Sequence, residues 1–333
     1  MHALVTGGGG FLGRYIVEQL VQRGDRVRVL SRRRYPELDI LGVESREGDI
    51  RDAASVSAAC EGMETVFHTA AVPGVWGPWS LYYETNTRGS ENVLTSCRRA
   101  GVSRLVYTSS PSVVYDGRPH EGADETLPYP TKFPCHYPHS KALAEQMVLR
   151  ANGSDGLATV ALRPHLIWGP RDNHLLPRLV HRAKSGRLRR VGKGKNRVSM
   201  SYVENAAAAH LQASDALHPG AACAGKAYFI NEPEPVVLWD WISELLERAG
   251  LGRVTTFVPY PVAFAAGCLL EWGSLLLRRR EEPLMTRFLA SQLATSHWYR
   301  VDAAMRDFGY RCVVGSGDAM DRTTPDLRHW ASG

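Results

Sequence analysis

The chain has 333 residues, 44% apolar and 22% charged, the make-up of a soluble globular protein with one large domain or two and ample core. Its net charge of +6, with arginine far outnumbering lysine, favours phosphates, a membrane surface or an acidic substrate. No recognition helix, zinc-finger spacing or aromatic-interleaved basic run argues for nucleic acid as a partner. Cys60, Cys97, Cys135, Cys223, Cys268 and Cys312 are scattered without a CxxC pair, as expected of reduced, mostly buried thiols in a cytoplasmic protein. No HExxH or comparable spacing occurs, so no metal is expected.

Residues 2–6 read as a short apolar strand at the very start, so no signal peptide is expected. Gly7, Gly10 and Gly13 follow, then an amphipathic helix to about residue 23 and a second strand over 26–30. Strand, glycine loop, helix and strand make a βαβ unit, in which small residues let the backbone approach a pyrophosphate at a helix N-terminus. The bland alternative is a tight structural turn. In this context the loop predicts dinucleotide binding. An acidic residue after the second strand would hold the ribose 2′-hydroxyl of NAD. Ser31 stands there instead, followed by Arg32, Arg33 and Arg34, and arginine grips a phosphate in a bidentate fork. NADP(H) is therefore the preferred cofactor, with NAD(H) the alternative. A solvated basic loop is the bland reading.

Strands are predicted over 44–48, 65–68, 104–108 and 157–162, and helices over 52–60 and 86–100. This alternation predicts an α/β fold, a doubly wound parallel sheet with helices on both faces. Ligands then bind beyond the carboxyl ends of the strands, where Gly7, Ala70, Ala71 and Ser110 fall. Between them lies a predicted loop, 72–83, rich in aromatic residues: Trp76, Trp79, Tyr82 and Tyr83.

Tyr137 and Lys141 open a predicted helix over 137–149, in which Pro138 fits the first turn. Four residues apart, the two share a face. An ammonium at ~4 Å would lower a phenol pKa by up to roughly 3 units, making a general acid or base. Chance alone supplies roughly 0.2 such pairs in a chain of this composition, so the pair matters only in its setting.

Gly169-Pro170 marks a predicted boundary between a Rossmann domain, 1–168, and a smaller, mainly C-terminal substrate domain, 169–333. Part of 198–231 is expected to return to the first. Helices are predicted over 172–185, 204–217 and 238–249, and a strand over 226–230. Residues 257–277 are apolar apart from Glu271, interrupted by Pro259, Pro261, Gly267 and Gly273, and followed by Arg278, Arg279 and Arg280. A spanning helix wants ~20 uninterrupted apolar residues, so a broken pair of helices is expected, either in the core or touching a membrane through 257–280.

Several stretches occur in an order that resembles the extended short-chain dehydrogenase/reductase family. They are Thr6-Gly7-x-x-Gly10-x-x-Gly13, Gly48-Asp49-Ile50, His68-x-Ala70-Ala71, Asn86-x-x-Gly89, Tyr107-Thr-Ser-Ser110, Tyr137-x-x-x-Lys141 and Arg163-Pro164. Tyr-Pro-His-Ser-Lys and Ser201-Tyr202-Val203-Glu204-Asn205 are similar to its 3β-hydroxysteroid dehydrogenase branch. Residues 35–38, 219–229 and 284–310 look closest to bacterial 2-alkyl-3-oxoalkanoate reductases.

The resemblance implies that Tyr137 donates the proton, that Lys141 holds the nicotinamide ribose and lowers the tyrosine pKa, and that Ser110, rather than Ser109, bonds the substrate oxygen. It implies that Gly7, Gly10, Phe11, Leu12 and Gly13 cradle the pyrophosphate. It places Asp49 and Ile50 at the adenine, and Ala70, Ala71 and Pro164 along the cofactor; Ser31, Arg32 and Arg33 are set at the ribose by their position after the second strand. Asn86 is structural or a relay. No residues match the isomerase activity of some steroid relatives. The expected function is reduction of a ketone on a large apolar substrate, most simply a 2-alkyl-3-oxo acid and alternatively a 3β-hydroxysteroid. A nucleotide-sugar epimerase suits the apolar 257–277 run poorly. A catalytically silent cofactor-binding regulator has no need of Ser110, Tyr137 and Lys141. The sequence does not give the oligomeric state, and a homodimer is one assembly open to the protein.

Overall fold

The structure, a computed structural model, describes residues 1–279 and 281–333; Arg280 lies outside the described residues. Seven strands form the central sheet: β1 (His2–Thr6), β2 (Arg26–Ser31), β3 (Glu44–Glu47), β4 (Thr65–His68), β5 (Arg104–Thr108), β6 (Ala158–Pro164) and β7 (Lys226–Ile230). Their order is β7-β6-β5-β4-β1-β2-β3, and every pairing is parallel. The chain starts in the middle, runs out to β3, then returns to β4 and builds the other side. The order thus reverses between β1 and β4, opening a crevice at their carboxyl ends.

Strands sandwiched on both faces read as unbroken apolar runs, and all seven residues of β6 are buried. Alternate residues serve opposite faces. Leu4, Val66, Leu105 and Ala161 pack under helices α2 (Ala53–Cys60), α3 (Gly89–Arg99) and α4 (His136–Arg150). Val5, Phe67, Val106 and Val160 belong to the core shared with α1 (Phe11–Gln22) and, from the C-terminal half, α6 (Val203–Ala216).

The remaining chain builds a second core around Trp168, Trp239, Trp241, Leu245 and Leu327. It is made by α5 (Leu175–Lys184), α7 (Leu238–Arg248), α9 (Arg287–Ala294) and α11 (Ser316–Ser332), with α8 (Tyr260–Leu276) resting against it through Ala263, while α10 (Asp302–Phe308) packs on the first core. A small sheet, ordered Val236–Val237, Arg197–Val198, His297–Tyr299 and His120–Ala123, joins segments from both halves of the sequence.

Three expectations need correction. Helix α5 begins at Leu175, because the Asp172 carboxylate accepts from the amides of His174, Leu175 and Leu176 at 2.7, 3.1 and 3.0 Å and so caps the turn before it. The aromatic stretch is not all loop: Trp79–Tyr82 is helical and runs through a π-helical turn, Tyr83–Arg88, into α3. Most of the 257–277 run is one continuous helix, α8, since Pro259 precedes it and Pro261 sits in its first turn, while Phe257–Val258 ahead of it is a two-residue strand. Nor is α8 a core element, because most of its large side chains face outward.

Candidate active site

The crevice is built by close backbone approach. Gly7 turns the chain out of β1 with φ +73, and a Cβ there would stand 2.9 Å from Ala70 Cα at the end of β4. A Cβ on Gly13 would run into the Gly7 carbonyl, whereas one on Gly10 would meet only that oxygen, at 3.1 Å. Gly10 precedes Phe11 and Leu12 at the start of α1, where no side chain caps the first amides. Those amides need an acceptor, and a phosphate supplies one. Ala70 and Ala71 are half-buried beside the loop, and Pro164 closes β6.

At the end of β2 the Ser31 Oγ is buried without a hydrogen-bond partner among the described residues. Arg34 is engaged by Asp39 at 2.8 Å. Arg33 lies 4.8 Å above the Tyr35 ring, which itself rests against Gly9. Arg32 makes no ion pair with a described residue but lies close enough to help hold the Asp49 carboxyl down; the main cause of that lowering is the Arg51 hydrogen bond, at 2.7 Å. Ile50 is buried against Gly89. The glycine cradle, the uncapped helix and the orphaned Ser31 hydroxyl fit a dinucleotide.

Tyr137 stands in the first turn of α4. Burial pushes its pKa up to about 12, and the Ser110 hydroxyl offsets part of that rise. Ser110 is half-exposed, with its Oγ 2.9 Å from that of Ser112; Ser109 is buried, its amide bonded to the Leu162 carbonyl at 2.6 Å. The expected lowering of the tyrosine by Lys141 is not what this arrangement produces. Lys141 Nζ turns to the Thr108 carbonyl at 2.7 Å and sits 4.2 Å above the Tyr107 ring. Its own pKa falls to about 7 through burial, against the pull of Glu145.

Beneath this pair lies a buried network that the motif spacing did not assign. Arg163, at the end of β6, grips Glu145 of α4 in a fork of 2.6 and 2.9 Å, and the Tyr129 hydroxyl donates to the same carboxylate at 2.6 Å. Burial alone would raise the Glu145 pKa, but Arg163 holds it below the usual carboxylate range. The available signal was the position of Glu145, one turn after Lys141.

The aromatic residues divide. Tyr82 is buried, edge-on to Tyr137 with ring centroids 6.4 Å apart. Trp79 stacks on His139 at 4.8 Å and on Tyr83 at 5.3 Å, walling the start of α4. Trp76 reaches away and donates to the Arg279 carbonyl at 3.3 Å. Asn86, in the π-turn, latches Val72 (2.8 and 3.1 Å) and Ser140 (3.1 Å), a structural role. No cluster of His, Cys, Asp or Glu able to hold a metal occurs among the described residues.

Residues 4–260 match the profile of the 3-beta hydroxysteroid dehydrogenase/isomerase family. A 2-alkyl-3-oxoalkanoate reductase from Stenotrophomonas maltophilia is 50% identical over 325 residues, covering 97% of this chain and 98% of that protein. A mouse sterol-4-alpha-carboxylate 3-dehydrogenase, decarboxylating, is 35% identical, covering 98% and 90%. Among solved structures, Thermus thermophilus UDP-glucose 4-epimerase in complex with NAD is similar, with a TM-score of 0.73 and 26% identity over 98% of this chain and 99% of that one. The chain belongs to the 3-beta hydroxysteroid dehydrogenase/isomerase family, within the extended short-chain dehydrogenase/reductases, and is an oxidoreductase.

Proposed function

We propose that the protein uses NADPH to reduce the ketone of 2-alkyl-3-oxo acids to a secondary alcohol. The observation that carries this reading is the setting of Tyr137: its phenol lies beside Ser110 and faces the aromatic ring of Tyr82, so an apolar substrate meets the proton donor directly. The reductase name of the Stenotrophomonas relative, similar over nearly the whole chain, supports the substrate class. Ser31 with Arg32 and Arg33 supports NADP(H) over NAD(H), because no carboxylate stands where the ribose 2′-phosphate would lie.

A bound nicotinamide supplies the hydride. The protein's part is to place the carbonyl and protonate it. Burial keeps the Tyr137 phenol protonated at neutral pH, the form a proton donor needs as the ketone oxygen gains charge. Ser110 offers a hydroxyl to the same oxygen. Lys141, held at the end of β5 by Thr108, is the residue to grip the nicotinamide ribose. Glu145 and Arg163 fix the helix that carries both Tyr137 and Lys141. The test is NADPH oxidation over 2-alkyl-3-oxo acids, ketosteroids and nucleotide sugars. Turnover should be highest on the oxo acids. Turnover confined to ketosteroids would move the reading to the sterol branch.

A further inference from the structure

The turn after Ser110 carries a second hydroxyl that proton donation does not use. Pro111–Val114 form one 3₁₀ turn, with Ser110 as its N-cap. Pro111 brings no amide of its own, so the first amide of the turn belongs to Ser112. The Ser110 Oγ accepts from that amide at 3.3 Å. Pro111, Val113 and Val114 are buried, and the two valines pin the turn against Ala142, Phe229 and Tyr299. Ser112 is the residue of the turn that is not buried, and its Oγ lies 2.9 Å from that of Ser110.

This geometry leaves each serine a proton to give. The Ser110 Oγ takes the Ser112 amide on a lone pair, so its own proton stays free for a substrate oxygen. The Ser112 hydroxyl can donate to the Ser110 Oγ or turn to a stronger acceptor. The groups that act on the Tyr137 phenol are Ser110, Cys135 and Tyr82, with no arginine or lysine among them. Lys141 is turned to the Thr108 carbonyl. Among the described residues, a carboxylate brought beside the ketone therefore meets hydroxyls rather than a cation. Burying it there without a donor would be costly.

In a 2-alkyl-3-oxo acid the ketone carbon and the carboxyl carbon are both bonded to C2. With ordinary bond lengths, a ketone oxygen and a carboxyl oxygen on the same side lie roughly 3 Å apart. Two hydroxyls 2.9 Å apart can donate to such a pair in parallel. We propose that Ser112 is a substrate-binding residue that reads the carboxylate of the 3-oxo acid while Ser110 holds the ketone oxygen. Two contacts also stop rotation about the C2–C3 bond, which keeps the ketone aligned for reduction. A plain ketone offers only one of the two oxygens. This inference rests on the oxo-acid reading of the site, and it names the residue that separates an oxo acid from any other ketone of the same bulk.

The test runs the reaction in the oxidation direction, because a 3-hydroxy acid, unlike a 3-oxo acid, does not lose carbon dioxide on standing. A 2-alkyl-3-hydroxy acid is compared with the secondary alcohol of the same skeleton without the carboxyl group. Reduced nicotinamide is followed with NADP+ and NAD+ both supplied. The wild-type protein should favour the hydroxy acid in kcat/KM by roughly ten- to hundredfold, as expected of a hydrogen bond to a charged group. Ser112→Ala should lower kcat/KM for the hydroxy acid at least ~10-fold more than for the alcohol. Both substrates are measured on one preparation, so any loss of folded protein cancels from the ratio. A Ser112→Ala variant that keeps the wild-type preference overturns the inference and leaves the oxo-acid reading standing. Equal losses on both substrates overturn it too, since they would assign Ser112 to positioning Ser110. So does a wild-type protein with no preference between the two. Oxidation of 3β-hydroxysteroids with neither substrate turned over overturns the reading itself, and the inference with it.

Discussion

Helices α4 and α8 depart from the usual inside-out pattern in opposite ways. Helix α4 buries charge: Lys141 and Glu145 are 3% and 0% exposed, and each has a partner within the chain. Helix α8 exposes its leucines and buries small residues, and its outward face has no partner among the described residues. A buried charge costs several kcal/mol unless it is paired, so the residues that surround α4 follow from its chemistry. An exposed leucine costs nothing comparable. What α8 answers to therefore lies outside the fold.

The largest effect should come from breaking the α4 pairing. Glu145→Ala leaves Arg163 buried without its carboxylate, and should lower stability by about 3–5 kcal/mol in urea unfolding. A loss under ~1 kcal/mol would mean that the pair is not what fixes α4. Next in size is Tyr137→Phe, which keeps the ring and removes the proton. Turnover of NADPH should drop at least ~100-fold with cofactor affinity retained, whereas Lys141→Ala should harm both. Near-normal turnover by the phenylalanine variant would end the proton-donor assignment.

The reversed pKa shifts sharpen the comparison further. Burial lowers His68 to about 3, and His210 and His297 to about 4, against an ordinary value of 6.5. Below pH 6.5 the unfolded chain takes up protons that these folded histidines refuse. Stability should therefore fall as pH drops from ~6.5 to ~4, by about 2 kcal/mol per histidine at pH 5. A flat urea midpoint between pH 7 and pH 5 would contradict the buried, neutral state. Ser31→Asp with Arg32→Ala should shift preference from NADPH toward NADH by roughly ten- to hundredfold, the worth of ~1.5–3 kcal/mol for a charge-assisted phosphate contact. A parent enzyme that already prefers NADH would sink that reading. Smallest of all, Leu276→Ser should change stability by less than ~0.5 kcal/mol, whereas Gly267→Val, on the buried stripe of the same helix, should cost about 1–3 kcal/mol.

Much of the α4 side of this contrast is legible in the sequence. The apolar runs of β1, β4, β5 and β6 and the spacing of Gly7, Gly10 and Gly13 specify a parallel sheet with its crevice. Tyr137 and Lys141 stand out by being one turn apart after it. What the spacing does not reveal is direction. One face of α4 allows Lys141 to meet either Tyr137 or the β5 carbonyls, and only the packed structure turns it to Thr108. The fork between Glu145 and Arg163 joins residues on different elements, so no local pattern announces it. Strands of two residues, such as Arg197–Val198, exist only through their partners. Helix α8 is apolar nearly all round, so periodicity cannot say which side is buried; Gly267 and Glu271 decide it through their contacts with α9.

The central claim is that this site delivers hydride and proton to a ketone on a long apolar acid. The most direct measurement supplies NADPH carrying deuterium at both C4 positions of the nicotinamide and a series of 2-alkyl-3-oxo acids of increasing chain length. Product should carry deuterium at C3, and catalytic efficiency should rise by up to about fourfold per added methylene until the pocket is full, as ~0.8 kcal/mol each implies. Unlabelled product, or reduction limited to short polar ketones with no response to chain length, would contradict the account.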